Sequence, residues 1–332
     1  MTGRRTPRAR DWFRRSLLLT AGTLLTAALA FGAAPQTRKV AILEHGDKTG
    51  RAAGWRVFQD RLRGLGYVEG SNLVLVRRWA DGVDARLPAL VQELVAEAPE
   101  LIVVTTTPAT QAVMRATTML PIVFVGSADP VAAGLVASLA RPGGNVTGFS
   151  AQLVEVNEKR LELMRAIVPQ AKRFALLGPD NDGVRAVLKR LQAVAPSMGV
   201  EVRFLESNDA ATIERAFGRL RAEGLDALLV ASALVQHNRQ VVALAAKHRA
   251  PASYIQKAAL EAGALLVFGP DTSAFYRRAA EYAHRILSGA KPAELPVEQP
   301  RVFWVGVNQR TARALGLSIP VSVLLSADHV IE

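Results

Sequence analysis

Five stretches of the chain share one arrangement, in which an apolar run ends and hydroxyl, amide or carboxylate side chains follow at once. They are Val104-Thr105-Thr106-Thr107-Pro108-Ala109-Thr110, Val125-Gly126-Ser127-Ala128-Asp129-Pro130, Gly178-Pro179-Asp180-Asn181-Asp182-Gly183, Val230-Ala231-Ser232 and Gly269-Pro270-Asp271-Thr272-Ser273. Where a strand hands over to a helix, such residues cap the helix, and its unpaired N–H groups and positive dipole end face outward. The hydroxyls and free amides at Thr106, Thr107 and Ser127 could hold a carboxylate or another anion. Asp129 and Asp271 could accept hydrogen bonds from an ammonium group. Thr110, Asn181 and Ser232 belong to the same junctions. Each junction alone reads as a helix cap, and their convergence on one cleft is what would make a binding site. Tyr254 could stack on a ligand there, or it could be a buried tyrosine whose hydroxyl has found a backbone partner. His45 lies in the loop after the first apolar run, which should face the same cleft, although a solvated loop histidine fits the sequence as well.

Catalytic patterns are missing. The chain has no G-x-x-x-x-G-K-[ST] loop, G-x-G-x-x-G turn, H-E-x-x-H helix or G-x-S-x-G elbow. Its five histidines, 45, 237, 248, 284 and 329, show no metal-ligand spacing, so neither a metal nor a cofactor is expected. If the chain were an exported enzyme, His45 with Asp271 is the pairing that could supply a positioned base. No cysteine occurs, which excludes disulfides, thiol nucleophiles, cysteine-ligated metals and a lipid-bearing cysteine.

The elements that must position these residues alternate. Val40 to Leu43, Leu73 to Val76, Leu101 to Val104 and Ile122 to Val125 read as strands, separated by stretches of helical spacing. Val57, Leu62 and Leu65 mark one helix that ends at Gly66, and Leu87, Leu90, Val91, Leu94 and Val95 mark another over about Asp84 to Ala98. A second series follows, with strands at Phe174 to Leu177, Val200 to Leu205, Leu225 to Val230 and Ala264 to Val267. Both series repeat one βαβαβ plan, which predicts an α/β protein of two doubly wound parallel-sheet lobes with a cleft between them. The Gly- and Pro-rich residues 141 to 149, Gly269-Pro270 and the proline-rich residues 291 to 304 mark three crossings between lobes, which would form a hinge. The expected lobes are 36–148 with 270–302, and 149–269 with 303–332.

With 332 residues, half of them hydrophobic, there is enough chain for two real cores. The formal charge is +12, but six of the 41 basic residues fall in the first fifteen positions beside one acid, Asp11. Beyond residue 34 the chain carries 35 basic and 28 acidic side chains with no dense basic block, so a solvated surface is expected and no nucleic acid. After that basic start, Leu17 to Ala30 carry no charge, and small residues follow before Pro35. This is the pattern of a signal peptide over residues 1–34, since an apolar run that short does not suit a membrane span of about 20 residues. Arg14-Arg15-Ser16-Leu17-Leu18 fits a twin-arginine signal as well as a general secretory one.

Several longer stretches carry a family resemblance. Gly66-Tyr67-Val68-Glu69-Gly70-Ser71-Asn72-Leu73, Arg78-Trp79-Ala80-Asp81-Gly82, Thr107-Pro108-Ala109, Asp129-Pro130-Val131, the run Gly134 to Gly148, Lys159-Arg160-Leu161-Glu162-Leu163 and Leu295-Pro296-Val297-Glu298-Gln299-Pro300 resemble signatures of the ABC transporter substrate-binding protein family, which includes tryptophan/tyrosine-binding lipoproteins. The resemblance implies a type I periplasmic-binding-protein fold that closes about its hinge on a small molecule. It implies an amino acid or related carboxylate as ligand, a carboxylate-holding loop at Thr106 to Thr110 with Ser127 to Asp129 beside it, and an inner-membrane ABC permease with its ATPase as partner. The family's lipid-bearing cysteine is absent here, so the expected location is free in a periplasm. A sensory role toward a membrane receptor fits the same sequence.

Overall fold

The computed structural model describes residues 37–332, and the predicted signal peptide lies outside the described residues. The chain builds two sheets. The first holds β1 (Arg38–Glu44), β2 (Leu73–Trp79), β3 (Leu101–Thr105), β4 (Ile122–Ser127) and β5 (Val146–Ser150), all parallel, in the order β2-β1-β3-β4-β5. Its strands are apolar almost throughout because helices cover both faces. On one face lie α1 (Ala52–Gly64) and a long helix that arrives from far along the chain. On the other lie α2 (Leu87–Ala96) and α3 (Thr107–Ala116). In α1 the buried positions are Phe58 and Leu62, four residues apart on one face, and burying the Phe58 side chain contributes about 1.5–3 kcal/mol.

The second sheet contains β6 (Arg173–Gly178), β7 (Glu201–Glu206), β8 (Ala227–Val230), β9 (Ala252–Tyr254), β10 (Leu266–Pro270), β11 (Phe303–Asn308) and β12 (His329–Ile331) in the order β12-β11-β10-β9-β8-β6-β7. Only β11 runs antiparallel to a neighbour, β10. Helices α4 (Leu153–Ile167) and α5 (Asp182–Val194) cover one face; α6 (Ala210–Arg219), α7 (Asn238–Lys247) and the short α8 (Ala258–Glu261) cover the other. The order β2-β1-β3 in the first sheet recurs as β7-β6-β8 in the second, so the repeated plan read from the sequence is a repeated topology.

Three segments join the lobes: Ser150 to α4, β10 to α9 (Thr272–Leu287), and Glu298 to β11. Helix α9 returns to the first sheet, where it packs on α1, β3, β4 and β5. The outer two segments touch, with Ser150 N–H donating to Glu298 O at 2.9 Å and Glu298 N–H to Gly148 O at 3.1 Å. Gly148 has no alternative there, since a methyl group on it would lie 2.1 Å from Phe124 O. Residues 146–150 are thus the edge strand β5, so the crossing that Gly and Pro content placed at residues 141 to 149 falls after Ser150 instead. β11, β12 and the closing helices α10 (Gln309–Leu315) and α11 (Val321–Leu325) were not predicted from periodicity. Among the described residues no helix is long and apolar enough to cross a membrane.

Candidate functional site: the interlobe cleft

A cleft separates the lobes at the carboxyl ends of both sets of strands and is continuous with space reaching into the second lobe as far as Ala264 and Leu315, about 1650 Å³ in all. The first turns of α1, α3 and α9 from one lobe and of α5 from the other line it, so four positive helix ends face one space.

Thr106 is a strained point of this wall. As the N-cap of α3 it holds φ 65°, ψ 157°, a conformation that L residues rarely adopt, and its Oγ1 is buried without a hydrogen-bond partner. Thr107 follows, its hydroxyl 3.0 Å from that of Ser127. Both of these threonines line the cleft, while Ser127 lies fully buried behind Thr107. Thr110 is turned away, its hydroxyl donating to Thr106 O at 2.7 Å, and Asp129 caps its own turn through Val131 and Ala132 N–H. Of the predicted residues, then, Thr110, Ser127 and Asp129 are not in the lining. His45, Thr106, Thr107, Asn181, Ser232, Tyr254 and Asp271 are.

These seven do different things. Asn181 caps α5 through Val184 N–H at 3.0 Å. Asp271 caps α9 through Ser273 and sits 3.2 Å from Lys257 Nζ. Its burial alone would raise its pKa, but the Ser273 hydrogen bonds and Lys257 outweigh that and leave it lowered. It already holds a cation. His45 Nε2 lies 2.5 Å from Asp84, so the His45–Asp271 pairing considered for an exported enzyme does not form. Tyr254 is 1% exposed and its hydroxyl has no partner, which removes the backbone-satisfied alternative; burial pushes its pKa up.

Several lining or supporting residues escaped the sequence reading. Glu44 ends β1 fully buried and accepts from Gly46 N–H (2.8 Å), Arg51 (2.7 Å), Trp55 Nε1 (2.8 Å) and Thr105 (2.9 Å). That network fixes Arg51 in the cleft wall. Burial alone would lower the Arg51 pKa, but Glu44 beside it leaves it raised, a permanent cation. Tyr276 of α9 also lines the cleft, packed edge-on against Trp55 at 5.1 Å over Gly54, where a methyl would lie 2.3 Å from its ring. A charged residue closing an apolar strand, Glu44, was the signal available in the sequence.

In the second lobe, Arg160 is fully buried on α4, directly behind the lining residue Asn157. It donates to Asn157 Oδ1 at 2.6 Å and to Ser253 O, its Nε has no partner, and among the described residues no carboxylate pairs with it. Burial pushes its pKa down to about 9, so it remains charged at neutral pH. A pair of polar residues on the buried stripe of α4, Asn157 and Arg160, was its sequence signal. Asn238 Oδ1 is a further buried lining atom without a partner.

The site can therefore surround a small molecule, offer it hydroxyl and amide groups from both lobes, and favour negative charge. Among the described residues no cluster of three or more His, Asp and Glu could hold a metal.

Comparison with known proteins follows the same direction. Residues 39–331 match the family model described as "ABC transporter substrate binding protein". The "Tyrosine-binding protein" of Clostridioides difficile (strain R20291) is 27% identical over 276 residues, covering 82% of this chain and 78% of that protein. A solved conserved domain protein from Vibrio cholerae superimposes with a TM-score of 0.81 at 28% identity, covering 89% of this chain and 100% of the other. An ABC domain in complex with L-Trp from Streptococcus pneumonia gives 0.79 at 26% identity, with the same coverage.

Proposed function

Since the chain belongs to the ABC transporter substrate-binding protein family, we propose that it is the extracytoplasmic solute-binding component of an importer and that it captures an amino acid, aromatic ones foremost, between its lobes. The observation that carries this reading is the set of buried, unpartnered polar atoms facing one cleft from both sides: Thr106 Oγ1 from the first lobe, Tyr254 OH and Asn238 Oδ1 from the second. A buried polar atom without a partner costs about 1–3 kcal/mol, and a ligand that satisfies all three relieves that cost only when the lobes are together. Such a ligand shifts the population toward the closed form, which a membrane permease with its ATPase then recognises. The four helix ends, Arg51 and Arg160 favour a carboxylate, and the relatives' ligands, tyrosine and L-Trp, carry one beside an aromatic ring. Export by the N-terminal segment places the carrier in a periplasm, where it works without a lipid anchor. Binding leaves the ligand chemically unchanged.

The test is a thermal-shift screen of the mature protein against the amino acids, with sugars and purines as controls, followed by calorimetry on any hit. A ligand at 100 times its Kd stabilises by about 2.7 kcal/mol, a shift of several degrees. If no amino acid moves the transition while a sugar or purine does, the ligand assignment is wrong; turnover of a bound compound would overturn the carrier reading itself.

A further inference from the structure

Within the same cleft the lobes also touch directly, at Gln236, a lining residue whose Oε1 is buried without a hydrogen-bond partner. In the second lobe the 3₁₀ turn Ser232–His237, kinked at Leu234, projects Gln236 toward the first lobe. There it meets three positions without side chains. A methyl on Gly82 would lie 2.6 Å from Gln236 Nε2, one on Gly46 would lie 3.1 Å from Oε1, and one on Gly50 would lie 3.4 Å from the Gln236 backbone N, Cα and Cβ. A side chain at Gly82 would displace the amide end of Gln236, and at φ +78° that position already suits glycine.

The receiving slot is rigid. Ala80, Asp81 and Gly82 N–H donate to Glu44, Gly46 and His45 O at 2.9, 3.2 and 2.8 Å, stitching the two loops together. Asp47 holds Thr49 and Gly50 N–H at 2.9 and 2.8 Å, and His45 is tied to Asp84.

We propose that Gln236 and the glycine socket Gly46–Gly50–Gly82 form a closure latch, a lobe-to-lobe contact that sets how often the empty protein closes and so scales its affinity for every ligand alike. The latch rests on the proposal that the lobes open and close, but not on which ligand is bound. Because a ligand's apparent affinity is its intrinsic affinity times the competent fraction, weakening the latch lowers all affinities by one factor. A residue that touched the ligand would instead discriminate between ligands.

The chain has no cysteine, so a Gly50→Cys, Gln236→Cys double variant carries two thiols and no others. The Cβ positions lie 3.4 Å apart, close to the mean of about 3.8 Å seen in disulfides. With diamide as oxidant and no amino acid present, the folded variant is expected to cross-link, giving a more compact particle by small-angle scattering. Thiols that stay fully titratable in the folded, oxidant-treated variant overturn the latch whatever the ligand proves to be. In a second variant, Gln236→Ala, affinities for tyrosine and tryptophan are expected to fall together by roughly three- to tenfold. Unchanged affinities, or a loss confined to one of them, overturn it. If neither amino acid binds the wild-type protein, the ligand assignment fails and the cross-link still decides the latch.

Discussion

Arg160 donates to Asn157 Oδ1 at 2.6 Å, so that a fully buried guanidinium stands one residue behind the cleft wall, and among the described residues no acid pairs with it. Buried charges are normally paired, and a lone one gives its surroundings a lasting preference for the opposite sign. Arg160→Met should therefore weaken binding of a carboxylate ligand by roughly tenfold, about 1.4 kcal/mol, while the uncharged amide of the same ligand binds as before. Unfolding in denaturant should change little or move toward greater stability, because neutral packing replaces a desolvated ion. Equal losses for acid and amide, measured by calorimetry, would show that the guanidinium only holds α4 to β9.

Thr106 combines backbone strain with an unpartnered hydroxyl. Replacing it with glycine should relieve about 1 kcal/mol or more of strain and raise the melting temperature of the empty protein, while the missing hydroxyl weakens ligand binding. Thermal melts with and without ligand separate the two effects. A variant that melts lower when empty would mean the conformation is not strained.

Thr107→Ala should reduce affinity without unfolding the protein, at a cost of about 1–3 kcal/mol for the Ser127 hydroxyl left alone behind it. Calorimetry that returns the wild-type affinity would remove Thr107 from the site.

Gly54→Ala tests the platform under Tyr276. A methyl 2.3 Å from the ring forces the tyrosine off Trp55 and into the cleft, which should cost about 1–3 kcal/mol of stability and weaken binding in parallel. Wild-type binding in this variant would show that Tyr276 is wall and not contact.

His237 sits beside the latch. Burial lowers its pKa from the ordinary 6.5, and the nearby charges of Asp47 and Asp209 only partly oppose this. The neutral ring is the form the folded protein prefers, so its contribution is complete above pH 6.5 and is lost as the pH falls below that value. Denaturation followed from pH 8 to pH 5 should show stability declining below pH 6.5, and His237→Gln should flatten that decline. A profile unchanged by the substitution would place the responsible group elsewhere.

How much of this was legible beforehand differed from residue to residue. Thr106, Thr107, Asn181 and Asp271 could be found because strand-to-helix junctions have a local signature: short polar side chains gather there, as Asn181 and Asp271 do in capping α5 and α9. Thr110 and Asp129 obeyed the same signature and still missed the cleft, since a junction fixes which backbone turns, not which side chain of it faces inward. Arg51, Arg160 and Gln236 had no junction to mark them. Their roles depend on Glu44, Ser253 and Gly82, which lie 7, 93 and 154 positions away in the chain. β5 was lost because Gly148 within it and Pro142, Gly143 and Gly144 just before it spell a turn, whereas pairing with β4 outweighs that local preference.

Apolar runs and helical spacing, which are properties of neighbours in the chain, sufficed to determine two repeated α/β halves, and Gly- and Pro-rich stretches pointed to three passages between them. Only the tertiary structure decided which polar groups are buried without partners, where an unanswered charge stands, and that a glutamine from one half fits among glycines of the other. The reason is one of range. Backbone geometry and amphipathic burial act over a few residues, while desolvation, ion pairing and steric fit depend on whatever the fold brings within a few ångströms.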